Sequence, residues 1–115
     1  MTIINLTPHP IKVRTLEGET TFTPTGILPR VGTIETPSEP IEGILTVTQH
    51  MGTVEGLPDS VEGIFLLVSA MVFNASDRTD LIAPDTGKGA IRDEQGRILA
   101  VSRFLRKGSH EKTRT

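Results

Sequence analysis

Apolar positions in this chain fall in short runs parted by turn residues, and one run stands out. Ile64-Phe65-Leu66-Leu67-Val68 is unbroken, with Glu62-Gly63 before it and Ser69 after it. Five consecutive apolar residues predict a strand covered on both faces. Ser69 is placed to cap a short helix over 70–75, its hydroxyl accepting one of the orphan backbone N–H groups. The helix is weakly specified, because Val72, Phe73 and Asn74 are modest helix formers. Residues 77–89 then read as a charged loop carrying Asp77, Arg78, Asp80, Asp85, Thr86 and two glycines.

The remaining pattern is mostly that of strands. Residues 3–13 predict a first strand. Pro8 and Pro10 lack the N–H a ladder needs, so this strand is an edge or is broken near His9. Residues 16–19 form a turn, 20–23 a second short strand, 24–26 another turn and 28–35 a third strand. Pro37 and Pro40 predict a loop over 36–40. The β-branched segment 44–48 is strand-like, 51–56 reads as a connection, and 57–59 turns into the central strand. The clearest hairpin is 90–92 with 97–104 around Asp93-Glu94-Gln95-Gly96, which suits a type I turn closed by a glycine bulge. These elements predict an α+β fold, mainly antiparallel β, as a curved sheet or small open barrel with one or two short helices. Residues 1–105 read as a single globular domain and 106–115 as a flexible basic tail.

Composition narrows the chemistry. The chain has 115 residues, four Phe and no Trp or Tyr, so its core is aliphatic and stacking platforms for nucleic acid bases are few. A net charge of −2 argues against nonspecific DNA or RNA binding. The absence of cysteine excludes disulfides, a thiol nucleophile and thiolate zinc sites. A small domain without such staples relies on its core, on oligomerisation or on both. His9, His50 and His110 are too scattered for metal-ligand spacing, and neither a metal nor a cofactor is expected. The N-terminus has no basic signal-like region, and the longest largely apolar stretch, about ten residues, is too short to span a bilayer. A cytoplasmic protein without membrane contact is expected.

Several residues could carry function, each with a plainer alternative. His9, held between prolines in Thr7-Pro8-His9-Pro10, is either a ligand contact or general base, or a solvent-facing edge residue. Arg78 offers a planar fork suited to phosphate or carboxylate, and Asp80 could orient it or bind a ribose hydroxyl; the alternative is a structural Arg–Asp clamp. Asp85-Thr86-Gly87-Lys88-Gly89 has the composition of a phosphate loop without the P-loop spacing. The same Asp-Thr-Gly lacks the apolar flanks of an aspartic protease centre. Ser69 is no nucleophile elbow, since Leu67 and Met71 stand where glycines are required.

Taken together, Ile4-Asn5-Leu6-Thr7-Pro8-His9, Gly56-Leu57-Pro58, Gly63, Leu67-Val68-Ser69, Arg78, Asp80, Pro84, Arg92-Asp93-Glu94 and Gly96-Arg97-Ile98 form a pattern. It resembles a group of short phage, prophage and bacterial proteins over about residues 3–104. One departure is Thr25 in Pro24-Thr25-Gly26, where that pattern has Ser. The resemblance carries no catalytic residues. By analogy with small phage proteins that act as sponges, it implies a non-enzymatic binding protein. Such a protein would sequester a small nucleotide-like signal of host defence, or block a host protein, commonly as a homo-oligomer. Asn5, Thr7, His9, Ser69, Arg78, Asp80, Asp85 and Thr86 would then supply the ligand contacts. Two other readings stay open: a small nucleotide-cleaving enzyme using His9 with an Asp, and a virion structural or assembly component whose sheet edge pairs with a neighbour.

Overall fold

Ten strands and one helix make up residues 1–108, the residues described by the computed structural model. In chain order they are β1 (Thr2–Asn5), β2 (Ile11–Thr15), β3 (Gly18–Phe22), β4 (Arg30–Ile41), β5 (Ile44–Glu55), β6 (Ile64–Leu67), α1 (Ala70–Ala75), β7 (Leu81–Pro84), β8 (Ala90–Arg92), β9 (Ile98–Val101) and β10 (Phe104–Arg106). The fold is α+β and rich in strands. They form three separate sheets and close no barrel: β1-β6-β7-β10, β3-β2-β9-β8, and a two-stranded ribbon of β4 and β5. The expected single curved sheet or open barrel gives way to this arrangement. The predominance of antiparallel pairing also softens: β1–β6, β6–β7 and β2–β9 are parallel. Such pairings join segments far apart in sequence, and no local pattern announces them.

The apolar run behaves as its pattern predicts. β6 lies inside the first sheet between β1 and β7, and Leu66, Leu67 and Val68 are buried. Parallel pairing aligns Ile3 with Phe65 and Ile4 with Leu66. One face of the sheet thus carries Ile4 and Leu66 into the main core, with Leu6, Val68, Leu81 and Ala83, under Val72 and Phe73 of α1. Ser69 caps the helix, accepting a hydrogen bond from the Val72 N–H at 3.3 Å. The second sheet lies toward the other face, where Phe22 meets Phe104 edge-on with ring centroids 5.9 Å apart.

The first predicted strand is broken, and His9 stands at the break between β1 and β2. The hairpin at 93–96 forms as expected. The Gly96 N–H donates to the Asp93 carbonyl at 3.0 Å, Gly96 has φ 84°, and the β8–β9 register shifts between Ile91 and Arg92. Two segments differ from expectation. The predicted loop 36–40 is strand, inside β4, and the predicted connection 51–56 is largely the continuation of β5. A two-stranded ribbon has no third strand, so every second N–H on each strand points outward. Prolines there cost no ladder bond.

The ribbon is rooted by Val31 and Val54, which pack against the main core. Beyond that root nearly every residue from 33 to 51 is exposed. Its tip is a two-residue turn, Glu42-Gly43, with φ of 50° and 80°, the mirror-image turn that matches strand twist. At the C-terminal end Arg106 belongs to β10 and the Lys107 ammonium lies 4.4 Å from the centre of the Phe73 ring. β10 therefore runs one residue past the predicted boundary at 105. The remainder of the predicted tail, residues 109–115, lies outside the described residues.

Candidate functional site

Asn5 and Thr7 are buried, and their polar groups are used internally. The Asn5 Nδ2 donates to the His9 carbonyl at 2.9 Å and to the Phe22 carbonyl at 2.8 Å. Its Oδ1 accepts from the Thr7 N–H at 2.8 Å and from the Thr7 hydroxyl at 2.7 Å. The Asn5 carbonyl also accepts from both the N–H and the hydroxyl of Thr25. One amide thus ties β1, the Pro8–Pro10 bend and the end of β3 together. His9 is exposed, and among the described residues no hydrogen bond joins its ring to a carboxylate.

Arg78 and Asp80 form a two-pronged pair. The Arg78 Nε donates to Asp80 Oδ1 at 3.0 Å and the Arg78 Nη2 to Asp80 Oδ2 at 2.7 Å. The Arg78 hydrogen bond holds the Asp80 carboxyl below its ordinary range, partly offset by desolvation, and Asp80 in turn raises the guanidinium value. Asp85 is buried beneath Arg103, whose Nε donates to it at 2.7 Å. It also accepts from the Gly87 N–H at 3.0 Å. Arg103 first, then these backbone donors, depress its carboxyl value. The clamp is tight: a Cβ on Gly89 would stand 2.9 Å from the Asp85 Cβ. Thr86 is exposed beside it and lines an apolar cleft described below. Ser69 is occupied in capping α1. The eight residues thus divide among three internal hydrogen-bonded brackets, the Ser69 helix cap, and the exposed His9 and Thr86.

A different group of side chains converges on the outer face of the first sheet. Residues two apart on one strand share a face. Register then brings Ile3 of β1, Phe65 of β6, Ile82 of β7, and Phe104 and Arg106 of β10 together. With Met1 they line a recess of about 250 Å³. The Arg106 guanidinium carbon lies 4.8 Å from the centre of the Phe65 ring, a cation–π arrangement. Arg106 and Phe65 also line a second recess of about 220 Å³, polar in character, whose walls include Ser60, Glu62, Thr79 and Asp80. Arg106 therefore stands between an apolar, ring-lined recess and a polar one. No carboxylate pairs with it among the described residues.

Reasoning from the sequence placed residue 106 in a tail and so missed this group. One signal was available: Phe104 and Arg106, two apart, share a strand face. The partners Ile3 and Phe65 follow only from the parallel pairing. No family model, curated protein or solved structure matches the chain. Among the described residues no group of three His, Asp or Glu could hold a metal ion, and no helix is long and apolar enough to cross a membrane.

Proposed function

We propose that this is a non-enzymatic, phage-associated binding protein that sequesters a small nucleotide-like anion, and that its ligand sits astride Arg106. The observation carrying the reading is the junction of two recesses at one guanidinium. A planar base fits the apolar recess against Phe65 and Phe104, where stacking contributes about 1–3 kcal/mol per base. The Arg106 fork meets phosphate. Asp80 retains free lone pairs beyond its bonds to Arg78, and with the Ser60 hydroxyl it can accept or donate to ribose. Of the residues predicted to bind ligand, Asp80 keeps that role in this reading. Arg78 becomes its orienting partner, Asn5, Thr7, Ser69 and Asp85 support the scaffold, and the exposed His9 and Thr86 have no part in it.

Isothermal titration with AMP, ATP and ADP-ribose tests the reading. At least one is expected to bind, with Arg106→Ala and Phe65→Leu each weakening affinity tenfold or more, and to return intact after heat denaturation of the complex. Absence of binding at millimolar concentration defeats the proposal, and recovery of cleaved products would favour the enzyme reading instead. The assembly-component reading draws on one separate feature, the exposed β4–β5 ribbon.

A further inference from the structure

We infer that the β4–β5 ribbon is an assembly arm that seats on a second copy of this chain, in the cleft between the Pro10–Lys12 segment and β9. This inference is independent of the ligand reading.

A lone two-stranded ribbon is marginal in water at best. This one extends well beyond its root at Val31 and Val54, and it presents an apolar stripe. The β4–β5 register is regular from Thr46 to Met51 and shifts between Thr46 and Ile44, with the extra residue on β4; β5 keeps its alternation, so Leu45, Val47 and Met51 share a face. They are 86, 56 and 46% exposed. Pro37 lies opposite Val47 on the same face. Gln49 and Glu35 interrupt this stripe, and the opposite face exposes Ile34, Ile41 and Ile44; aliphatic side chains along a thin ribbon are a surface suited to being covered.

The charge distribution points to the occupant. Residues 31–54 hold Glu35, Glu39 and Glu42 and no Lys or Arg. Three of the 14 acidic residues therefore stand on the ribbon with none of the 12 basic ones, and the rest of the chain carries 12 basic against 11 acidic residues. The arm is acidic, whereas residues 1–30 and 55–108 are balanced at ten basic and ten acidic residues, so the complement to the arm is local to the cleft. The body also has a complementary groove. A cleft of about 450 Å³ runs between Pro10, Ile11 and Lys12 on one side and Ile98 and Leu99 on the other. Ile98 and Leu99 are 43 and 47% exposed, and Lys12 supplies a cation on the cleft wall. Leu45 and Val47 of one copy can cover Ile98 and Leu99 of the other while the arm carboxylates face Lys12 and the nearby Arg92.

The area is adequate if arms are exchanged reciprocally. About nine free residues per strand give roughly 30 Å of length, and two strands about 10 Å of width. One seated face then buries roughly 600 Å² over both partners. Two seated arms reach about 1,200 Å², the lower bound for a stable interface. A two-fold dimer with mutually exchanged arms satisfies this and leaves no arm uncovered.

Sedimentation and native mass spectrometry of the full chain test the inference. Wild type is expected to be dimeric at micromolar concentration. The triple variant Leu45→Ser/Val47→Ser/Met51→Ser alters only exposed side chains. It is expected to raise the dissociation constant at least a hundredfold with an unchanged circular dichroism spectrum. Glu35→Lys/Glu39→Lys/Glu42→Lys and Lys12→Glu are each expected to dissociate on their own. Mixed together they should form a heterodimer, since each acidic surface then meets a basic one. A wild type that stays monomeric at 100 μM overturns the inference, as does an oligomer that survives both the apolar and the charge variants.

Discussion

Both ends of the Asn5 amide are committed inside the protein: two donated bonds hold the His9 and Phe22 carbonyls and two accepted bonds hold Thr7. Removing one partner from a buried hydrogen-bonded network leaves the others unsatisfied, at about 1–3 kcal/mol per group where water cannot reach. Asn5→Ala is accordingly expected to lower unfolding free energy by about 2–4 kcal/mol, measured by urea titration, and to loosen the Pro8–Pro10 bend. The Asn-x-Thr pattern was visible in the sequence, but its direction was not. A short polar pair beside prolines reads equally well as a ligand contact and as a local turn-former, and only the burial of Asn5 at 2% exposure separates the two. The Arg78–Asp80 pair was legible in both of its alternatives, because a spacing of two residues lets a guanidinium fork reach a carboxylate locally.

Elements defined by nearest neighbours were legible, and those defined by distant partners were not. The Ser69 cap, the 70–75 helix, the buried strand and the 93–96 turn each depend on a few adjacent residues. Pro37 and Pro40 predict a loop where the ribbon runs, because the breaker rule assumes hydrogen-bonding neighbours on both edges. A better signal lay at the tip, where Glu42-Gly43 sits between Ile41 and Ile44 in hairpin arrangement. Glu42 has φ 50°, a conformation that costs most L-residues about 1–2 kcal/mol and that Asn tolerates better. Glu42→Asn is expected to stabilise the protein by about 0.5–1 kcal/mol. The urea midpoint checks this, with added protection of tip amides in hydrogen exchange.

At the scale of the molecule, three clamped carboxylates govern the response to acid. Asp80, held by Arg78, Asp85, held by Arg103, and Asp93, held first by the Arg97 backbone N–H, all have native values below the ordinary carboxylate range. A depressed native value contributes stability that is complete above the unfolded value, near 3.9, and is lost as pH falls through the native one. Stability from these groups is therefore expected to hold between pH 7 and about 5 and to decline below about 4. Arg103→Met removes the main cause of the Asp85 shift and should make the acid limb shallower. Thermal midpoints measured across pH 2–7 for both proteins decide it. Neither the sheet order nor the Arg106 junction could be read at this scale from the sequence, because both arise from pairings between segments tens of residues apart.

The first sheet takes its strands from residues 2–5, 64–67, 81–84 and 104–106. During synthesis, at about 5–20 residues per second, β1 emerges seconds before the strand it pairs with, and β10 arrives last. Arg106, on which the ligand reading turns, is the final residue of that last strand. Until β10 is made the first sheet lacks an edge strand, and the growing chain lacks the guanidinium on which that reading rests. On the proposed ligand reading, capture would begin only once translation has passed β10, and a ribosome stalled before it would leave a chain without the Arg106 recess.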